Sequence, residues 1–136
     1  METRLSVGDI RVFSHNVKDT DIAAFDTGMV HPVCSTFALA KYIEWTSRLF
    51  IIDIKEEEEE GIGTMLQIEH LSPAFIGDNL KFEATIISIN QNELICNVDI
   101  SAGKRKVAKA KTGQKLLTKH RLNEIFSSLE KHGKKG

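Results

Sequence analysis

Three side chains that could do chemistry fall at defined places in the sequence: Thr36, Glu44 and His70. An imidazole titrates near neutral pH and can relay a proton. A carboxylate on a mostly apolar helix has its ionisation shifted by burial and by charged neighbours, and can serve as a general base or as a direct nucleophile. A hydroxyl at a helix start is usually a cap residue. The amides around it, however, lack helical acceptors and sit at the positive end of the helix dipole, so they can hold an oxyanion formed when a carbonyl is attacked. Each residue also has an ordinary structural explanation. His70 alone on an apolar strand face reads as a satisfied core histidine. Glu44 stands three residues after Lys41 and four before Arg48, the spacing of helix-surface ion pairs. Thr36 reads as part of a cap.

The elements that must position these groups can be traced by periodicity. A helix is expected from Thr36 to about Ile52, with Ser35 as its N-cap. Apolar residues recur at Ala38, Tyr42, Trp45, Leu49 and Ile52, and again at Leu39, Ile43 and Phe50. That arc is wide, so most of the helix should be buried, with Lys41, Glu44 and Arg48 on a narrow polar edge. Gly61-Ile62-Gly63 is expected to break the chain. Beyond it the period changes to two: Leu66, Ile68 and His70 share one strand face and Met65, Gln67 and Glu69 the other. Pro73 and Gly77 mark a turn, Asn90 to Asn92 a hairpin and Gly103 another turn. Between them lie alternating segments through Leu80–Ile86 and Leu94–Ile100, followed by a last strand over 107–117 and a short helix over 123–129. Ile10 to His15 suits a first strand, Asp19 to Phe25 a helical turn, and Val30 to Cys34 an irregular apolar stretch. The order is one strand, one long helix, then an antiparallel meander. A sheet that must bury one face can do so by wrapping around that helix, which gives an α+β hotdog fold.

Length and composition narrow the classes. A chain of 136 residues matches one domain, read as residues 1–130 with a basic flexible tail over 131–136. Apolar residues at 41% and charged residues at 27% argue against wholesale disorder. A net charge of −1 gives no pull toward nucleic acid or an anionic membrane. The start of the sequence carries no secretory signal, and no apolar run approaches the roughly 20 residues that cross a bilayer. A cytoplasmic protein is therefore expected. Cys34 and Cys96 are too few for a disulfide scaffold and sit in apolar surroundings. His31, Cys34 and His70 lack a zinc spacing, and Gly61-Ile62-Gly63 lacks the third glycine and the helix of a dinucleotide fingerprint. The acidic run Glu56–Glu60 reads as a solvated loop. Lys104, Lys106, Lys109, Lys111 and Lys115 read as a solvated edge that discourages aggregation, or as contacts for the phosphates of a ligand.

The stretch Val30-His31-Pro32-Val33-Cys34-Ser35-Thr36, running into Ala38 to Trp45, resembles the start of the central helix in the fluoroacetyl-CoA-thioesterase-like branch of the hotdog superfamily. Gly63-Thr64, Ile68-Glu69-His70-Leu71, Pro73 and Gly77-Asp78 are similar to that family's second strand and the turn after it. The likeness covers roughly residues 5 to 120. It implies a catalytic set of Thr36, Glu44 and His70, a Gly63 backbone close to the thioester, and substrate contacts at Val33, Ser35 and Thr64. It further implies a homodimer, open to further assembly, whose helices pack side by side and whose active sites take residues from both chains. The implied activity is hydrolysis of a small or medium acyl-CoA thioester, with CoA as part of the substrate and no metal or organic cofactor. Phe25 to Met29 has no counterpart to the lid of the fluoroacetate-resistance enzyme, so selectivity for a fluorinated substrate is not implied. The alternative is a hotdog module that binds acyl-CoA or another small ligand without turnover. Hydratase chemistry on the same fold pairs a histidine with an aspartate in a segment pattern that is not found here.

Overall fold

A computed structural model of the chain describes Met1, residues 4–25 and residues 28–135, with side chains for all of these except residues 23–32 and 132–135. Phe25 to Met29, the segment without a lid counterpart, therefore lies outside the described side chains. The elements run β1 (Ile10–Asn16), a short 3-10 turn (Asp19–Asp21), β2 (Ile22–Phe25), β3 (Gly28–Cys34), α1 (Thr36–Ile54), β4 (Glu59–His70), β5 (Asn79–Asn90), β6 (Glu93–Ala102), β7 (Arg105–Thr118) and α2 (Lys119–Lys135). Five strands form one antiparallel sheet in the order β1-β5-β6-β7-β4, and β2 pairs with β3 in a separate ribbon. α1 packs against the five-stranded sheet, the arrangement of a hotdog fold.

The period-two patterns fix which face meets the helix. Leu80, Phe82, Ala84 and Ile86 of β5 and Leu94, Cys96, Val98 and Ile100 of β6 are all buried, and their neighbours along each strand are more exposed. Leu39, Ile43, Phe50 and Ile51 of α1 are fully buried against them. Burial of each such side chain contributes roughly 1.5–3 kcal/mol. The Ser35 hydroxyl accepts from the Ala38 amide at 3.0 Å and so fixes where α1 begins.

The helix is less covered than its apolar arc suggests. Phe37 is 85% exposed, Trp45 43% and Ile52 40%, so one face of α1 is open in the single chain. Other expectations change too. Residues 22–25 form a strand rather than a helical turn, because their partner is β3, the stretch read as irregular. Gly61-Ile62-Gly63 lies inside β4 rather than breaking the chain. Gly61 is required there: a Cβ would meet Ile51 Cγ2 of α1 at 2.8 Å. Glu59 and Glu60 open that strand instead of extending a solvated loop, since Arg4 takes Glu59 while Arg48 and Lys55 take Glu60. β7 lies between β6 and β4, so its lysines decorate a sheet face and not an edge. Residues 131–135, read as a tail, continue α2 to Lys135. No described helix is long and apolar enough to cross a membrane.

Candidate active site

The start of α1 and the end of β4 meet. Thr36 Oγ1 lies 3.2 Å from His70 Nδ1, a hydrogen bond between the first helical residue and the last residue of the strand. Both side chains are exposed, so the pair faces outward and not into the core. Of the first-turn amides, that of Ala38 goes to the Ser35 hydroxyl and that of Leu39 to the Ser35 carbonyl. The Thr36 and Phe37 amides, ahead of them, have no acceptor within the helix. Ser35 is wholly engaged, because its own amide donates to the Asp21 carbonyl at 2.8 Å. Val33, half-buried beside it, bridges to Phe75 through the backbone.

Glu44 is placed elsewhere. Eight residues along α1 is a rise of roughly 12 Å from Thr36. There Glu44 opens on a pocket of about 430 Å³ walled by Phe13, Tyr42 and Trp45, with Gly63 and Gln114 at its sheet side. The helix-surface ion pairs suggested by spacing do not form. Arg48 Nη2 donates to Glu60 at 3.2 Å, and the Lys41 ammonium sits 4.8 Å above the Tyr42 ring. Glu44 Oε1 instead looks onto Gly63, 3.4 Å from the point where a Cβ would stand. Thr64 is not part of this pocket: it is the extra residue of a bulge between Gly63 and Met65, and its hydroxyl donates to Glu93 at 2.7 Å. Within one chain, then, Thr36 and His70 form one cluster, and Glu44 and Gly63 form another.

A third cluster went unrecognised in the sequence. Asp21, 4% exposed, accepts from the Tyr42 hydroxyl at 2.8 Å and from the Lys18 amide at 2.9 Å, and its Oδ2 lies 2.7 Å from His15 Nε2. The His15 ring stacks on Tyr42 with centroids 4.0 Å apart. Burial pushes the Asp21 carboxyl up, but the hydrogen bonds from His15, Lys18 and Tyr42 outweigh it and hold the group below its usual value. Burial, then the same carboxylate, pushes the Tyr42 hydroxyl up to about 12. The cluster fastens the aromatic wall of the Glu44 pocket to β1 and to the 3-10 turn. The cysteines offer no thiolate. Burial pushes Cys34 up to about 11 and Cys96 up to about 12.

The sheet's outer face carries a polar groove of about 540 Å³ with Lys109 and Lys111 beside Gln67, Glu69, Asn97 and Asp99. Lys109 pairs with Glu69 at 3.5 Å across exposed surface, an interaction of small energetic weight.

Comparison with known proteins agrees with this architecture. A family model described as fluoroacetyl-CoA-specific thioesterase matches residues 17–120. A Thermus thermophilus protein described as a thioesterase superfamily member superposes with a TM-score of 0.86 at 26% identity, covering 96% of this chain and 97% of that one. A hot-dog-like protein from Thermanaerovibrio acidaminovorans gives 0.84 at 17% identity, covering 94% and 96%. A fluoroacetyl-CoA thioesterase gives 0.81 at 15% identity, covering 91% and 96%. These last two likenesses show the shared fold. No curated protein matches the sequence.

Proposed function

The chain belongs to the fluoroacetyl-CoA-specific thioesterase family, a family of thioester hydrolases, and from that premise we propose that it hydrolyses a small or medium acyl-CoA at a cleft completed by two copies of itself. The observation that carries the reading is the Thr36–His70 contact of 3.2 Å, set against the helix-start amides that lack an acceptor within the helix. The thioester carbonyl would lie at the Thr36 and Phe37 amides, which would take the negative charge that develops on its oxygen. Thr36 would orient the imidazole. His70 would pass a proton to the departing thiolate. Glu44 would supply the carboxylate that attacks or that activates water.

The separation of Glu44 from that cluster in one chain favours a shared site. The open face of α1, with Phe37, Trp45 and Ile52 exposed, is the surface a second copy would cover. Antiparallel packing of two such helices centred near Ala40 would set Thr36 and His70 of one chain opposite Glu44 of the partner subunit. Val33, Ser35 and Gly63 then act through their backbones, positioning the helix start and leaving room for the acyl group. The chemistry uses no metal or organic cofactor beyond the CoA of the substrate. Incubating the purified protein with acyl-CoAs of graded chain length and following free thiol tests the reading. Thiol release with a chain-length optimum is expected. Tight binding of acyl-CoA without thiol release would favour a ligand-binding module instead.

A further inference from the structure

Gln114 is the buried side chain that packing alone leaves unexplained. It sits on β7 in the series Thr112, Gln114 and Leu116 that faces the helix, and it is 3% exposed. The Thr112 hydroxyl lies 2.6 Å from that of Ser47, and Leu116 belongs to the core. Gln114 joins neither arrangement. Its Oε1 is buried and has no hydrogen-bond partner among the described residues. A buried amide left unmet destabilises a fold in a way that an apolar residue of similar size does not.

Gly63 shows what the amide faces. The two residues pair across β4 and β7. A Cβ on Gly63 would stand 3.4 Å from Glu44 Oε1 and 3.8 Å from Gln114 Nε2. A carboxylate and a carboxamide therefore border the same gap, which exists because the strand has no side chain there. The carboxylate can only accept a hydrogen bond. The carboxamide offers a donor or, turned over, an acceptor. A water in the gap can donate to the carboxylate and bond to whichever end of the carboxamide faces it, the end now bearing Nε2 or, turned over, the unmet Oε1, and still keep a lone pair free. A thioester carbonyl, which only accepts, cannot satisfy the carboxylate.

We infer that Gln114 and Glu44 together hold the attacking water over Gly63, so that Glu44 works as a general base and Gln114 as the residue that positions the water. The inference rests on the thioester-hydrolase reading and deepens it. One water proton passes to the Glu44 carboxylate as the water oxygen bonds to the acyl carbon. The C–S bond then breaks with its electron pair leaving on sulfur, and the proton is delivered to that sulfur. One water and one thioester give one free acid and one free thiol.

Gln114→Leu tests this in the full-length protein, with thiol release from the acyl-CoA that the unchanged protein turns over best. The variant keeps the volume and removes the unmet amide. The expected result is a kcat lowered by at least roughly tenfold with KM held within about twofold, and a melting temperature at or above that of the unchanged protein. Gln114→Asn, which returns an amide one methylene short, should recover part of kcat. A raised KM with unchanged kcat would mean that Gln114 contacts the acyl group and not the water, and would overturn the inference. So would unchanged kinetics, or a Leu variant that melts earlier. Failure of the unchanged protein to release thiol from any acyl-CoA would instead remove the hydrolase reading underneath, and the inference with it.

Discussion

Thr36 Oγ1 and His70 Nδ1 meet at 3.2 Å although 34 residues separate them in the chain. The contact exists because Ser35 caps α1 at one position and β4 ends its pairing with β7 at His70, opposite Ala108. Two independent terminators thus place a hydroxyl and an imidazole side by side at an amide-rich helix start. His70→Ala is expected to lower kcat by about 100-fold or more, the usual weight of a lost proton-transfer group. Its melting temperature should hardly move, since the side chain is exposed. Thiol-release kinetics and a melting curve on the same preparation check both halves.

Glu44→Gln separates chemistry from folding in the same way. Arg48 and Lys41 are engaged with Glu60 and Tyr42, so no ion pair is lost with the charge. The expected outcome is loss of nearly all turnover with stability within about 0.5 kcal/mol of the parent. Denaturant titration and kinetics test it; wild-type turnover would remove Glu44 from the site.

Gly61 and Gly63 should respond in opposite ways to alanine. At Gly61 the new methyl would meet Ile51 Cγ2 at 2.8 Å, inside the core. Overpacking of that kind costs about 1–3 kcal/mol, so Gly61→Ala should melt earlier and retain activity per folded molecule. At Gly63 the nearest atom is Glu44 Oε1 at 3.4 Å, ordinary contact. Gly63→Ala should fold as well as the parent and lose activity, because the methyl fills the gap between Glu44 and Gln114.

Asp21 makes stability depend on acid pH. Its folded-state carboxyl titrates below the ordinary value, so its contribution is complete above about pH 4 and disappears as pH falls through the lowered folded value. Asp21→Asn should cost about 1–3 kcal/mol at neutral pH, where it weakens the bonds to His15 and Lys18. The gap between parent and variant should close below about pH 4. Denaturant midpoints measured across that range check it; a gap independent of pH would show that the carboxylate charge does not matter.

What could be read from sequence followed the strength of the local signal. α1 was legible because Ser35 and a long 3.6-residue period both point to it, and β5 and β6 because Leu80–Ile86 and Leu94–Ile100 alternate cleanly. β2 and β3 were not, because their short strands are defined by each other and by a Pro32 that argues against regular structure. The opening of β4 was hidden by Glu59, Glu60 and two glycines, residues whose place in a strand depends on Arg4, Arg48, Lys55 and Ile51 far along the chain. Within the candidate site, Thr36, Glu44 and His70 stood out by residue type. Their division into two clusters did not, since it depends on how far apart the helix holds them. Gln114 carried one faint signal, a glutamine on the inward register between Thr112 and Leu116. Asp21, His15 and Tyr42 carried none, because three separate elements bring them together.

The proposed shared cleft is tested most directly by mixing two variants that it predicts to be inactive. Glu44→Gln and His70→Ala chains, unfolded together and refolded, should give mixed dimers; where each site draws on both chains, one site then carries both substitutions and the other carries neither. If one subunit supplies Thr36 and His70 and its partner supplies Glu44, the mixture regains about a quarter of wild-type thiol release, as random pairing into two-fold dimers requires. If both groups act from the same chain, every site in the mixture is damaged and the activity stays at that of the separate variants, which would contradict a site built from two copies.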